Sequence, residues 1–349
     1  MNNRTYTIPP LHKEMGEHVQ AYINTLTKPP GSLGRLEPLA VSLAEMKNDP
    51  FPTVSPPGVL VFAADHGITA EGVSAFPQAV TEQMVRNFLS GGAAINVFSK
   101  NIGALLEIID VGVAADIDHH DLIQNKVRPG TANFLREDAM STQEAEEAIH
   151  AGYVQGEKII NKGAQCLIVG DMGIGNTTTS STILALLANT DAKTVAGSGT
   201  GISEIQLQHK VKIIQQAIQA RNPDRNDPLD ILAKVGGLEL AGMAGAMLVA
   251  AEKKTPILVD GFICTVAALL AKSMASHVSD YMILAHQSVE PGHDIASSML
   301  DKQPLLDLEL RLGEGTGAAL AFPLLQSAAS MVNEMATFTS AGISGKSNS

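Results

Sequence analysis

Glu314 stands in the run Leu310-Arg311-Leu312-Gly313-Glu314-Gly315-Thr316-Gly317, a lone carboxylate with a glycine on either side. Its chemistry would be proton transfer. Upstream, Leu308, Leu310 and Leu312 alternate as a strand does, and the pattern turns helical from Ala318 onward. The C-terminal end of a strand is where open α/β sheets bind ligands. Gly313 and Gly315 lack a Cβ, so backbone and substrate can come close to the acid. Taken alone, the same residue also reads as a solvated loop acid. Its neighbours decide between the two.

Two glycine loops are the first of those neighbours. Gly170-Asp171-Met172-Gly173-Ile174-Gly175-Asn176-Thr177-Thr178-Thr179 follows a strand pattern and opens a helical one. Its G-x-x-G-x-G spacing is not the dinucleotide fingerprint, and no Gly-Lys-Ser/Thr follows, so it is not a P-loop. The physics is nevertheless shared: free N–H groups at a helix N-terminus, hydroxyl donors and glycines together admit a phosphate or carboxylate. A purely structural turn accounts for one or two of the glycines. Gly197-Ser198-Gly199-Thr200-Gly201 is a second loop of this kind. Lys210, in the helix that follows, offers a point charge if its face turns inward and is an ordinary solvated lysine if not. Two such loops predict a ligand with two acidic groups.

Asp65-His66-Gly67 ends the first strand pattern. His66 has the chemistry of an acid, a base or a ligand, but a lone histidine is more often held structurally by hydrogen bonds. Asp260-Gly261 and His286-Gln287-Ser288-Val289-Glu290-Pro291-Gly292-His293 end two further strands. Asp118-His119-His120-Asp121 has the composition of a metal cluster. Adjacent residues rarely converge on one ion without partners from elsewhere, so a solvated loop is preferred there.

These residues need a scaffold, and the apolar runs supply it. Val59–Ala63, Leu105–Asp110, Cys166–Val169, Ile257–Asp260, Met282–Ala285 and Leu308–Leu312 alternate with helical patterns. Ser141 with Glu144 and Ser203 with Gln206 have capping-box spacing. Ala145, Ala148, Ile149, Tyr153, Ile159 and Ile160 mark one helix face, and Val211, Ile214 and Ile218 another. Ile263–Met274 and Ala318–Met335 complete the helical set. The alternation predicts an α/β fold: a doubly wound, mainly parallel, six-stranded Rossmann-like sheet. Right-handed crossovers would place the glycine loops along one edge. Met1–Leu26 and Leu36–Lys47 read as helices. With the end of the C-terminal helix they are expected to form a small helical subdomain (1–49 plus 326–349) beside a large α/β domain (50–325) that carries the site.

The 349 residues, 45% hydrophobic, suffice for a large core. A net charge of −12 argues against nucleic acid as a partner. Cys166 and Cys264 lie in separate apolar segments and read as core residues of a reduced compartment. Met1–Met15 has no apolar signal-peptide core, and no apolar run approaches the ~20 residues of a membrane span. A soluble cytoplasmic protein with no membrane partner is expected. Aromatic residues make up only 4%, with no Trp, so a planar ligand would be held by aliphatic, Met and a few Phe side chains.

Lys28-Pro29-Pro30-Gly31-Ser32-Leu33-Gly34, Asp65-His66-Gly67, the stretch Gln83 to Val97, Gly170–Thr178, Gly236–Ala246, Asp260-Gly261, Gln287–Gly292 and Arg311–Gly317 span nearly the full chain. In that order they resemble the nicotinate-nucleotide:dimethylbenzimidazole phosphoribosyltransferase family of cobamide lower-ligand assembly. The resemblance implies transfer of phosphoribose from nicotinate mononucleotide to 5,6-dimethylbenzimidazole by a homodimer, with no cofactor and no metal. A pyridinium leaving group departs neutral at its ring nitrogen and needs no general acid. The attacking benzimidazole must shed an N–H proton, so one base suffices, and the family's base matches Glu314.

By the same correspondence, the nucleotide phosphate meets Gly173, Gly175 and Asn176 and the loop of Gly199 and Gly201, with Lys210 nearby. Ser288, Glu290 and Gly292 lie against the nucleotide, and Gln83 and Leu312 against the base. Asp171 departs from the pattern, since many relatives carry Glu there; it contacts ribose or base, or merely caps the helix. Two other readings remain: a metal-dependent phosphohydrolase built on Asp118–Asp121, Asp65 and His66, and a non-catalytic nucleotide-binding domain that uses the anion loops alone.

Overall fold

The computed structural model describes residues 6–199 and 201–344. The first five residues of the expected N-terminal helix, Thr200 of the second glycine loop and residues 345–349 of the tail lie outside that description.

The sheet is built from β1 (Pro57–Ala64), β2 (Leu105–Gly112), β3 (Leu122–Gln124), β4 (Cys166–Met172), β5 (Ile257–Val259) and β6 (Met282–Leu284). It has six strands in the order β3-β2-β1-β4-β5-β6, and every pairing is parallel. The winding reverses between β1 and β4, which opens a crevice at their C-terminal ends. β1 is buried at all eight positions, which is why it reads as an unbroken apolar run rather than an alternation.

The sequence expectation assigned the sixth strand to Leu308–Leu312, and this is corrected. The sixth strand is β3, a three-residue edge too short to stand out. Leu306–Leu310 instead forms β8, which pairs in parallel with β7 (His286–Ser288) in a separate ribbon. The β8 side chains are exposed or half-buried, so their leucine alternation does not report a core face. A register shift beside Ser288 is accompanied by a left-handed Glu309, at φ 55°.

The helices before β4 are α1 (Lys13–Ile23), α2 (Leu36–Lys47), α3 (Val80–Leu89), α4 (Ala94–Asn101) and α5 (Thr142–Asn161). After it come α6 (Asn176–Leu187), α7 (Ala192–Val195), α8 (Glu204–Arg221), α9 (Pro228–Val235) and α10 (Leu238–Glu252). The last are α11 (Phe262–Met274), α12 (Gly292–Leu300) and α13 (Thr316–Glu334). Both expected capping boxes are present: Ser141 with Glu144 opens α5, and Ser203 with Gln206 opens α8. The N-terminal helix is shorter than expected because Pro9 and Pro10 cannot donate to a helical ladder and restrict the residues before them.

α10 packs against both α5 and α11, and all three lie on the central strands, while α3, α4 and α13 cover the same sheet. α10 is buried from Leu238 to Ala251, the all-round burial of a helix enclosed by other elements. α1 and α2 pack together and onto α13, and one continuous core joins Ile23 and Leu43 to the sheet.

Candidate active site

A cavity of about 350 Å³ opens at the C-terminal ends of β4 and β5. β4 delivers Asp171 to it, the turn after β5 delivers Asp260, and the β8–α13 loop delivers Leu312, Gly313 and Glu314. The ribbon contributes Ser288, and α3 covers one side with Val80 and Met84. The lining is chiefly apolar, with Phe76, Ile174 and Phe262 among it, and suits a flat ring.

Gly313, Glu314 and Gly315 have φ of 90°, 63° and 85°. Three consecutive left-handed residues fold the chain sharply between β8 and α13. Glycine tolerates that conformation; glutamate does so at a cost of about 1 kcal/mol or more. Gly170 on β4 permits the fold to sit where it does, since a Cβ there would overlap the Glu314 carbonyl.

The result is a carboxylate with 4% exposure, one oxygen of which has no protein partner. Burial pushes its pKa up to about 7; the backbone N–H of Ile95 pulls the other way and Asp260 adds to the rise. A carboxyl group raised toward neutrality, with one buried oxygen unpartnered, thus lines a largely apolar cavity; such a group has the chemistry of a general base.

Asp260 fixes the loop. Its Oδ2 accepts from the Gly315 N–H at 3.2 Å and its Oδ1 from the Ala318 N–H at 2.9 Å, so it caps the start of α13. His286 Nε2 lies 3.3 Å from Asp260 Oδ1. Burial opposes the imidazolium, but Asp260 outweighs it and raises the His286 pKa.

Asp171 is 4% exposed. Burial pushes its pKa well above the carboxylate range, reinforced by the charges of Asp260, Glu239 and Glu314 and opposed by Cys264. Its Oδ2 accepts from Asn176 Nδ2 at 2.8 Å, which ties it to the start of α6.

Beneath the first glycine loop lies His66, fully buried, with Nδ1 3.0 Å from Thr179 Oγ1 and Nε2 2.9 Å from Glu239 Oε1. A Cβ on Gly173 would come within 3.1 Å of that ring. The histidine is thus packed beneath the loop and hydrogen-bonded to its helix.

Lys210 turns inward: it is 1% exposed, and its Nζ donates to Gly197 O at 3.1 Å and Thr177 Oγ1 at 3.2 Å. It lines a small adjoining cleft with Gly173, Gly175, Asn176 and Ser198. Burial lowers its pKa to about 8 despite the nearby Glu290. Glu290 lines the main cavity with a buried Oε2 that has no hydrogen-bond partner. Arg311 Nη1 donates to Gly199 O at 3.2 Å, joining the second loop to the Glu314 segment.

Most of the expected site residues converge: Glu314, Asp171, Gly173, Asn176, Gly199, Ser288, Glu290 and Leu312 line the cavity, and Gly175 and Lys210 the cleft beside it. Three do not. Gln83 is exposed on α3, whose cavity-lining residues are Val80 and Met84. Gly201 is exposed beyond the loop's inner wall. Gly292 is buried at the start of α12, where a Cβ would press on Phe262 and Leu184.

Asp260, Glu239 and His286 were not singled out as site residues. For Asp260, its place at a strand's C-terminal end was the available signal. Glu239 had none, lying inside an apolar helix. His119, His120 and Asp121 do have ligand atoms within 4.8 Å of one another, but at the protein surface, in the loop before β3.

A doubly wound sheet with a buried carboxyl group and glycine loops at its switch point defines the class: an α/β protein with a ligand site at its switch point. Comparison narrows it. A family model described as phosphoribosyltransferase matches residues 8–343. A nicotinate-nucleotide–dimethylbenzimidazole phosphoribosyltransferase from Roseiflexus sp. (strain RS-1) is 48% identical over 97% of this chain and 96% of its own. One of the same name from Halalkalibacterium halodurans is 47% identical over 97% of this chain and 95% of its own. The crystal structure of CobT from Thermus thermophilus superposes with a TM-score of 0.92 at 45% identity, covering 95% of this chain and 100% of that one. The chain belongs to this phosphoribosyltransferase family.

Proposed function

We propose that the protein transfers the 5-phosphoribosyl group of nicotinate mononucleotide to 5,6-dimethylbenzimidazole, releasing nicotinate and α-ribazole 5′-phosphate. The observation that carries the reading is the buried Glu314 carboxyl, one oxygen of it unpartnered, in the lining of an apolar cavity beside two glycine loops. The names borne by full-length relatives support it.

The phosphate sits against the N–H groups of Gly173, Gly175 and Asn176, with Lys210 and Gly199 closing round it. Ser288 and Glu290 meet the nucleotide. The benzimidazole lies among Leu312, Phe76 and Met84, its N–H toward Glu314. Its free ring nitrogen attacks the anomeric carbon as the bond to nicotinate breaks. The glycosidic electron pair returns to the pyridinium nitrogen, and the N–H proton passes to Glu314. The configuration inverts, and no acid is needed.

Incubation of the purified protein with both substrates should yield nicotinate and α-ribazole phosphate. Glu314→Ala should retain nucleotide binding and lose about 10²–10⁴ of turnover, the usual worth of a general base. Wild-type turnover in that variant would remove Glu314 from the mechanism. EDTA should leave the rate unchanged. Inhibition reversed by a divalent ion would favour the phosphohydrolase reading instead. We also read the protein as a homodimer.

A further inference from the structure

Asp171 shares the cavity with Glu314 but is differently surrounded. From β5 it faces Asp260, from α10 Glu239, from the β8–α13 loop Glu314, and from α11 the Cys264 thiol, 3.6 Å from Oδ1. No lysine or arginine forms an ion pair with it among the described residues. Arg311 is committed to Gly199 O, and His66 lies against Glu239. His286, whose pKa is raised, lies against Asp260 rather than Asp171, and four buried carboxylates with so little opposite charge beside them cannot all ionise. Asp171 is the one on which the charges of all three others bear.

Its two oxygens also differ. Oδ1 sits against the thiol, which can donate to it. Oδ2 accepts from Asn176 Nδ2 on one side, and on the other it is left open by Gly313, where a Cβ would stand 3.3 Å away. That open side points between the glycine loop carrying Asn176 and the segment carrying Glu314. Under the proposed function, the phosphate occupies the first and the aromatic base the second. The ribose spans the gap.

We propose that Asp171 stands in this cavity as a neutral carboxylic acid whose Oδ2–H donates a hydrogen bond to a ribose hydroxyl of the nucleotide. The ribose assignment rests on the proposed function; the neutral state does not. Two carboxyls a short way apart are thereby divided: Glu314 accepts the proton, and Asp171 keeps its own and positions the sugar. A neutral Asp171 also spares Glu314 a second negative charge.

Asp171→Asn supplies a neutral donor of the same shape, and the Asn176 amide can turn over to accept from it. It should hold kcat/KM within about 3-fold of wild type, while Asp171→Ala should lose about 10-fold or more. The Ala penalty should shrink on the deoxynucleotide that lacks the contacted hydroxyl. In the resting protein at about pH 8.5, where Glu314 is ionised, infrared difference spectra of wild type against Asp171→Asn should show a protonated-carboxyl band.

Absence of that band overturns the neutral state whatever the enzyme acts on. Asn as damaging as Ala, with both variants folded by circular dichroism, overturns the donor role. An Ala penalty identical on every deoxynucleotide overturns the ribose contact. Failure of the wild type to turn over these substrates would fall on the proposed function and leave the infrared result to decide the rest.

Discussion

Glu314 is held where both its charge and its backbone are disfavoured: 4% exposed, with one unpaired oxygen and φ of 63°. A residue with a purely structural role would shed both costs by substitution, and the price has a measurable pH signature. Its folded pKa of about 7 lies above the ordinary 4.5. The neutral acid's contribution to stability is therefore complete below about pH 4.5 and is lost as pH rises to about 7, where the buried group must ionise. Glu314→Gln should match wild type in urea unfolding at about pH 4 and exceed it by about 3 kcal/mol above pH 7. A difference constant with pH would mean that Glu314 is not held neutral. In wild type, kcat/KM should rise with pH up to about 7 as the base ionises. Glu314 itself was legible in the sequence because glycines flank it. The acid that tunes it was not: Asp260 reaches the cavity from the end of a strand far along the chain, and only the fold brings the two together.

At the scale of elements, the sequence was clearest where one pattern had one cause. Serine–glutamate and serine–glutamine boxes opened α5 and α8 as expected, and β1 read correctly because both its faces are covered. The β7–β8 ribbon was misread because its alternation lies on an exposed strand. α10 shows no helical periodicity, being apolar on every side; its small residues have a packing role instead. Gly152 on α5 lies so close to α10 that a Cβ would overlap the Gly242 carbonyl, and Gly245 on α10 is as close to Ile149. This contact sets the depth of α10, and with it the position of Glu239 behind Asp171. Gly152→Ala should push the helices apart and cost about 1–3 kcal/mol, read as a lower urea midpoint with an unchanged m-value. An unchanged midpoint would show that the pair can separate freely, and that α10 is not fixed by this contact.

For the whole molecule, the homodimer proposal sets apolar burial against charge. α4 and α13 pack together, and each leaves an apolar side chain outside, Val97 at 52% and Leu320 at 37% exposure. The same two helices hold Glu314 in place, since α4 supplies the Ile95 N–H that bonds it and α13 begins two residues after it. A second copy seated there would stiffen the segment that carries the proposed base. Opposing it, each chain carries −12, so two copies repel. That repulsion reaches about 30 Å at 0.01 M salt but only about 8 Å at 0.15 M. Salt should therefore tighten this dimer, whereas an interface made by ion pairs would loosen. Sedimentation velocity should show a dimer whose dissociation constant falls as sodium chloride rises from about 0.03 M to about 0.3 M. Val97→Glu with Leu320→Glu should give a folded monomer with reduced kcat. A wild-type protein that stays monomeric at every concentration, or a double variant that still dimerises, would place the association elsewhere or nowhere.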